Sequence, residues 1–250
     1  LFQQRAQRGT YAVPALEGLV EAGYDIVAVI TAPDKPVGRK QILTPPPVKV
    51  TAQKLGPQVL QPEKLRNNPE FVEELKTLLA TRNQKPETSL GVVAAYGKLI
   101  PPKIFNLPKH GILNIHPSLL PEYRGPSPIQ TAILNGDTET GITIMRVDEE
   151  MDHGEIVSSL QFPVYSDETY KILGDKLAKA GAELLIKTLP DYLDGKIIPQ
   201  PQDESRATYT KKFTIEDGEI KPDDTAEEAY NKIRALNPEP GAFIWFSAKG

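Results

Sequence analysis

The sequence predicts an α/β protein built on a doubly wound, mostly parallel sheet. Two observations carry that expectation. Apolar runs of strand length recur at 25–31, 89–95 and 111–115, as in strands buried on both faces. Segments of helical period separate them with short connections, the pattern of a parallel sheet covered on both sides. Such a sheet binds ligands beyond the carboxyl ends of its strands, which directs attention to the residues following each run.

Residues 13–20 repeat apolar positions at helical spacing, and Gly23 offers a stop. The run 25–31 is followed by a loop punctuated by Pro and Gly at 33–47, a helix over 48–55 and a short strand at 59–60. An amphipathic helix spans 69–80 through Phe71, Val72, Leu75 and Leu79. The strand at 111–115 ends at His116 and Pro117. A short helix over 128–134 closes at Asn135 and Gly136, two strands follow at 141–147 and 155–163, and a long helix covers 168–189.

Residues 1–194 therefore form one domain. Residues 195–212 are polar and Pro-containing and read as a linker. Residues 213–250 hold one helix, 225–236, and an apolar run, 242–246. That is too little for an independent core, so this part is expected to be the start of a truncated second domain. A doubly wound sheet opens with its central strand, yet residues 1–10 are polar; the first strand is expected to be degraded or missing.

Apolar residues make up 39% and charged residues 25% of the 250, the balance of an ordinary soluble domain. No run approaches the ~18 apolar residues of a membrane span, and the N-terminal residues lack the apolar core of a secretory signal. The chain has no cysteine, which excludes disulfides, thiolate catalysis and Cys-based zinc sites and makes the cytoplasm the expected compartment. A net charge of −4 argues against a broad nucleic-acid surface. One stretch departs from this: residues 34–49 hold Lys35, Arg39, Lys40 and Lys49 against the single acid Asp34.

There are three histidines, His110, His116 and His153. Asn114 and His116 are two apart on a strand and so share one face, and Pro117 keeps the residue before it extended. Asp152 lies in a turn between two strands, which by topology can reach the same sheet edge. An amide, an imidazole and a carboxylate together suit acyl transfer between nitrogens. The amide donates to a tetrahedral oxyanion, the imidazole donates or moves protons, and the carboxylate orients the ring or a water. No side-chain nucleophile is needed. His110 reads as a solvated loop residue and His153 as a bystander beside Asp152. The spacing of the histidines fits no metal-binding motif, and no metal is expected.

The run Asn-Ile-His-Pro-Ser-Leu-Leu-Pro-Glu-Tyr-Arg-Gly at 114–125 resembles the folate-dependent formyltransferases, as do Thr-Gly-Ile-Thr-Ile at 140–144 and Met-Asp-His-Gly-Glu-Ile at 151–156. The resemblance implies a Rossmann-like formyltransferase domain in which Asn114, His116 and Asp152 are catalytic. It implies that Ser118, Leu119, Leu120 and Pro121, with Ala95, Tyr96 and Gly97 at the end of an earlier strand, bind the donor, 10-formyltetrahydrofolate. The segments 31–39 and 234–242 are similar to the branch of the family that formylates methionyl initiator tRNA. That similarity implies tRNA contacts by Lys35, Arg39 and Lys40 and a barrel-like, OB-like C-terminal domain beginning near 213; the chain is expected to be a monomer. The same scaffold leaves three other outcomes open: transfer to a small amine such as an amino-sugar nucleotide or purine precursor, hydrolysis of the donor, or a non-catalytic relic that binds folate or tRNA.

Overall fold

The computed structural model describes residues 2–3, 10–38, 40–82, 89–96 and 99–245. Among them, β1 (Phe2–Gln3), β2 (Ala28–Thr31), β5 (Gln58–Leu60), β6 (Gly91–Ala94), β7 (Ile112–His116), β8 (Glu139–Arg146) and β9 (Ile156–Pro163) form one sheet in the order β5-β2-β1-β6-β7-β8-β9. The first five strands of that order pair in parallel, whereas β7–β8 and β8–β9 are antiparallel. β1 fills the central slot between β2 and β6 with two residues, which accounts for the weak strand signal there.

Neighbouring strand residues feed opposite cores. Val29, Val92, Leu113 and Ile115 join one cluster, with Leu16, Leu173 and Leu177. Ile30, Val93 and Ile112 join the other, with Phe71, Leu75 and Ile104. The two-residue period divides each strand between the faces, so every apolar run needs helices on both sides. Each fully buried Leu, Ile or Val is worth about 1.5–3 kcal/mol.

The first face is covered by α1 (Val13–Glu21), α2 (Pro47–Leu55), α5 (Pro128–Leu134) and α6 (Tyr170–Leu193), and the second by α3 (Pro69–Arg82) and α4 (Pro102–Phe105). At Gly181 α6 comes so near the sheet that an added Cβ would lie 2.6 Å from Ile115 Cγ2. A last helix, α7 (Ala226–Leu236), begins with a capping box between Thr225 and Glu228 and packs on α5.

Three elements depart from the sequence expectation, among them the unforeseen α4. The stretch 33–47 contains an antiparallel hairpin of β3 (Lys35–Val37) and β4 (Ile42–Thr44), whose exposed side chains and Pro36 hide the strand signal. His116 is the last residue of β7 rather than the first beyond it. Among the described residues no helix is long and apolar enough to cross a membrane.

Candidate active site

Asn114 and His116 lie on the same face of β7 as Ile112, opposite Leu113 and Ile115. Asp152 meets them, but not by sharing the carboxyl edge as the topology suggested. β8 runs antiparallel, so its end at Arg146 stands opposite Leu113, near the start of β7. The turn 147–155 then carries Asp152 back over the face. Its Oδ1 is 3.4 Å from Asn114 Nδ2 and 3.7 Å from His116 Nδ1. One carboxylate oxygen thus faces both groups.

Backbone atoms fix the trio. His116 is buried, and its Nε2 lies 3.0 Å from the Tyr123 carbonyl. A carbonyl only accepts, so Nε2 donates and Nδ1 is left for chemistry on the side facing Asp152. The other carboxylate oxygen, Oδ2, accepts from Gly125 N at 2.8 Å. Tyr123 and Asp152 hold positive φ, 60° and 53°, which turns the Tyr123 carbonyl toward the ring. An amide donor, an imidazole with one free nitrogen and a carboxylate suit a carbonyl that develops negative charge while a proton passes between two nitrogens.

Residues 7–189 match the Formyl transferase family and residues 212–250 the Formyl transferase, C-terminal domain. The chain belongs to the formyl transferase family. The methionyl-tRNA formyltransferase of Listeria innocua is 46% identical over 239 residues, covering 96% of this chain and 73% of that protein. That of Caldanaerobacter subterraneus is 45% identical, covering 96% and 75%. The N-formyltransferase of Helicobacter canadensis, solved with folinic acid and dTDP-3-aminofucose, superposes with a TM-score of 0.68 at 22% identity, covering 94% of this chain and 78% of that one. At that identity the likeness concerns the fold.

Other formyltransferase positions expected from the sequence are distributed unevenly. Ser118, Leu120 and Pro121 are buried and Leu119 is half-buried. Ser118 Oγ donates to the Glu122 carbonyl at 2.6 Å, and buried Thr143 joins Leu120 N and Ser118 O to β8. This segment therefore offers a ligand backbone and Leu119 rather than the Ser118 hydroxyl. Ala95, at φ 54°, and Tyr96 follow β6; Gly97 lies outside the described residues. Tyr96 lines a cavity of about 140 Å³ with Thr31, Lys35 and Glu63, and burial pushes its phenol pKa up. Lys35 and Lys40 are exposed on the hairpin, and Arg39 lies outside the described residues. Lys49, from the same basic stretch, is paired with Asp34 at 2.8 Å and holds that carboxyl below its usual range.

The sequence reading missed Tyr123 and Gly125, because they act through the main chain, and it missed the contacts of 200–210 described below. His153 is more than a bystander. Its Nδ1 lies 2.6 Å from Asp148 Oδ2, and its Nε2 3.6 Å from Glu204 Oε1. The Asp148 carboxylate raises its pKa above the ordinary 6.5. A raised folded value means that the stabilisation is complete below the unfolded pKa and lost as pH rises through the folded one. His153 is 37% exposed, so screening limits the effect to about 1 kcal/mol or less. A His153→Gln variant is expected to melt lower than the parent near about pH 6 and to converge with it in alkali. Parallel melting curves at both pH extremes would count against the pairing.

Proposed function

We propose that this protein transfers the formyl group of 10-formyltetrahydrofolate to the amino group of methionyl initiator tRNA, as a cytoplasmic monomer. The observation that carries the chemistry is the meeting of Asn114 and His116 on a single Asp152 oxygen. Folate as carrier is supported by the family match and by the folinic acid held by the Helicobacter canadensis relative. The tRNA acceptor is supported by 45–46% identity to enzymes named for it, against 22% to the sugar enzyme.

In this reading the incoming amine forms a C–N bond to the formyl carbon. The carbonyl electrons move to oxygen, where Asn114 Nδ2 donates a hydrogen bond. His116 Nδ1 takes the amine proton and returns it to the departing carrier nitrogen as the old C–N bond breaks. Asp152 faces the transient imidazolium and stabilises it. Atoms and charge balance with no covalent enzyme intermediate.

The deciding assay offers the protein charged initiator tRNA, a nucleotide-linked amino sugar and a purine-pathway amine, with the formylated donor. Formyl-methionyl-tRNA is the expected product. Formylation confined to a small amine, or release of formate alone, would defeat the tRNA reading. Changing Lys35, Arg39 and Lys40 together to alanine is expected to raise KM for tRNA and flatten its salt dependence, because phosphate contacts release counterions. KM for the folate should stay near its parental value. Equal weakening of both substrates would remove the hairpin from tRNA recognition.

A further inference from the structure

The segment 195–212 reads as a linker, yet its residues 200–210 are bonded to both halves of the site. Gln200 exchanges backbone hydrogen bonds with Ile156, at 2.7 and 2.8 Å. Two residues on, the Gln202 side chain bridges two loops. Its Nε2 donates to the carbonyls of Asp152 and Gly154 at 2.9 and 2.8 Å. Its Oε1 accepts from Arg124 Nε and Nη2 at 3.0 and 2.7 Å. The Arg124 side chain is 1% exposed and also pairs with Glu204, at 2.6 Å. The residue after it is Gly125, whose N–H holds the Asp152 carboxylate. One amide thus ties the turn that carries Asp152 to the loop that follows His116.

Only an amide fits both sides. Arg124 needs an acceptor, and the two carbonyls need donors. A carboxylate would keep the first and set charge against the second; a hydrocarbon would satisfy neither. Asp152 also holds a positive φ of 53°, a conformation that surrounding bonds must maintain.

We propose that Gln202 is a positioning residue for the transfer reaction: it holds the Asp152 turn against the Arg124 loop so that the carboxylate stays between Asn114 and His116. The inference rests on the reading of Asp152 as part of the catalytic set. A displacement of the order of an ångström at such a site lowers rates by about 10–10²-fold, while substrate binding elsewhere is untouched.

The test is a double-mutant cycle on the full chain, read as single-turnover formyl transfer with a thermal melt beside it. Gln202→Leu and Gln202→Glu are each expected to lower kcat by about 10–10²-fold with both KM values near parental. Gln202→Glu retains the acceptor for Arg124, so it carries the same test should Gln202→Leu fail to fold. In an Asp152→Asn background either change is expected to add almost nothing. Equal fold-losses in both backgrounds would overturn the proposal, since Gln202 would then act independently of Asp152. Parental kcat in both Gln202 variants would overturn it as well, leaving the catalytic reading intact if Asp152→Asn alone is impaired. Parental kcat in Asp152→Asn alone would instead remove the catalytic role of Asp152, and the proposal with it.

Discussion

Turnover of a His116→Ala variant is expected to fall by about 10²–10⁴-fold, the usual consequence of losing a positioned acid–base group. The argument lies in the two ring nitrogens. Nε2 is committed to the Tyr123 carbonyl at 3.0 Å, so the ring is fixed in one orientation and, in the proposed reaction, the proton travels through Nδ1. No other imidazole stands in: His153 is engaged with Asp148, and the His110 ring packs against Tyr192 of α6. Removing the ring leaves the Tyr123 carbonyl without this partner, which costs about 1–3 kcal/mol of stability, so the variant should melt lower but remain folded. Because the ring acts on a proton in flight, KM for charged tRNA should change little. Rapid-quench measurement at saturating substrates reads the chemical step directly, and a rate within threefold or so of the parent would take His116 out of the mechanism.

Part of this site was legible before any coordinates. Asn114 and His116 follow from strand period alone, because residues two apart on β7 must share a face. Asp152 was different. Its approach depends on β8 reversing direction and on the turn 147–155 folding back over the sheet, and neither leaves a periodic trace in the chain; topology offered Asp152 only as a turn residue able to reach the sheet edge, and the resemblance to a family implied its role. The groups that lock the trio were silent for a simpler reason. The Tyr123 carbonyl and the Gly125 N–H are backbone atoms, which every residue has. Gln202 and Glu204 sat in a polar stretch whose composition is that of a solvated connector, and their partners lie 48 to 80 residues away in sequence. In the fold, long apolar strands were read to within two or three residues, while the hairpin at 35–44 and the four-residue α4 were missed. Both are built around proline, at Pro36 and at Pro101 and Pro102, and proline reads as punctuation unless its position in the element is known.

The dependence of the site on residues 200–210 also predicts the effect of a single methyl group. Gly125 has φ +111°, and a Cβ there would lie 2.9 Å from both the carbonyl oxygen and Oγ1 of Thr210. Thr210 cannot simply step aside. Its N–H donates to the Arg124 carbonyl at 2.7 Å, and its hydroxyl accepts from Ser127 N at 3.1 Å. A Gly125→Ala variant must therefore twist its own backbone, pulling the N–H from Asp152, or push the 200–210 segment away, loosening Gln202. Either route disturbs the carboxylate. We expect about 2–4 kcal/mol of destabilisation from the strained backbone and the lost hydrogen bonds, together with a fall in kcat of about 10²-fold. Gly56, the C-cap of α2, provides the contrast: it has φ +100° with nothing within 4 Å of an added Cβ. Gly56→Ala should cost only about 1–2 kcal/mol and leave kcat alone. Denaturant unfolding and single-turnover rates on the two variants separate backbone strain from loss of site geometry. If Gly125→Ala matched Gly56→Ala in both readouts, the 200–210 segment would not be holding the Asp152 carboxylate through this loop.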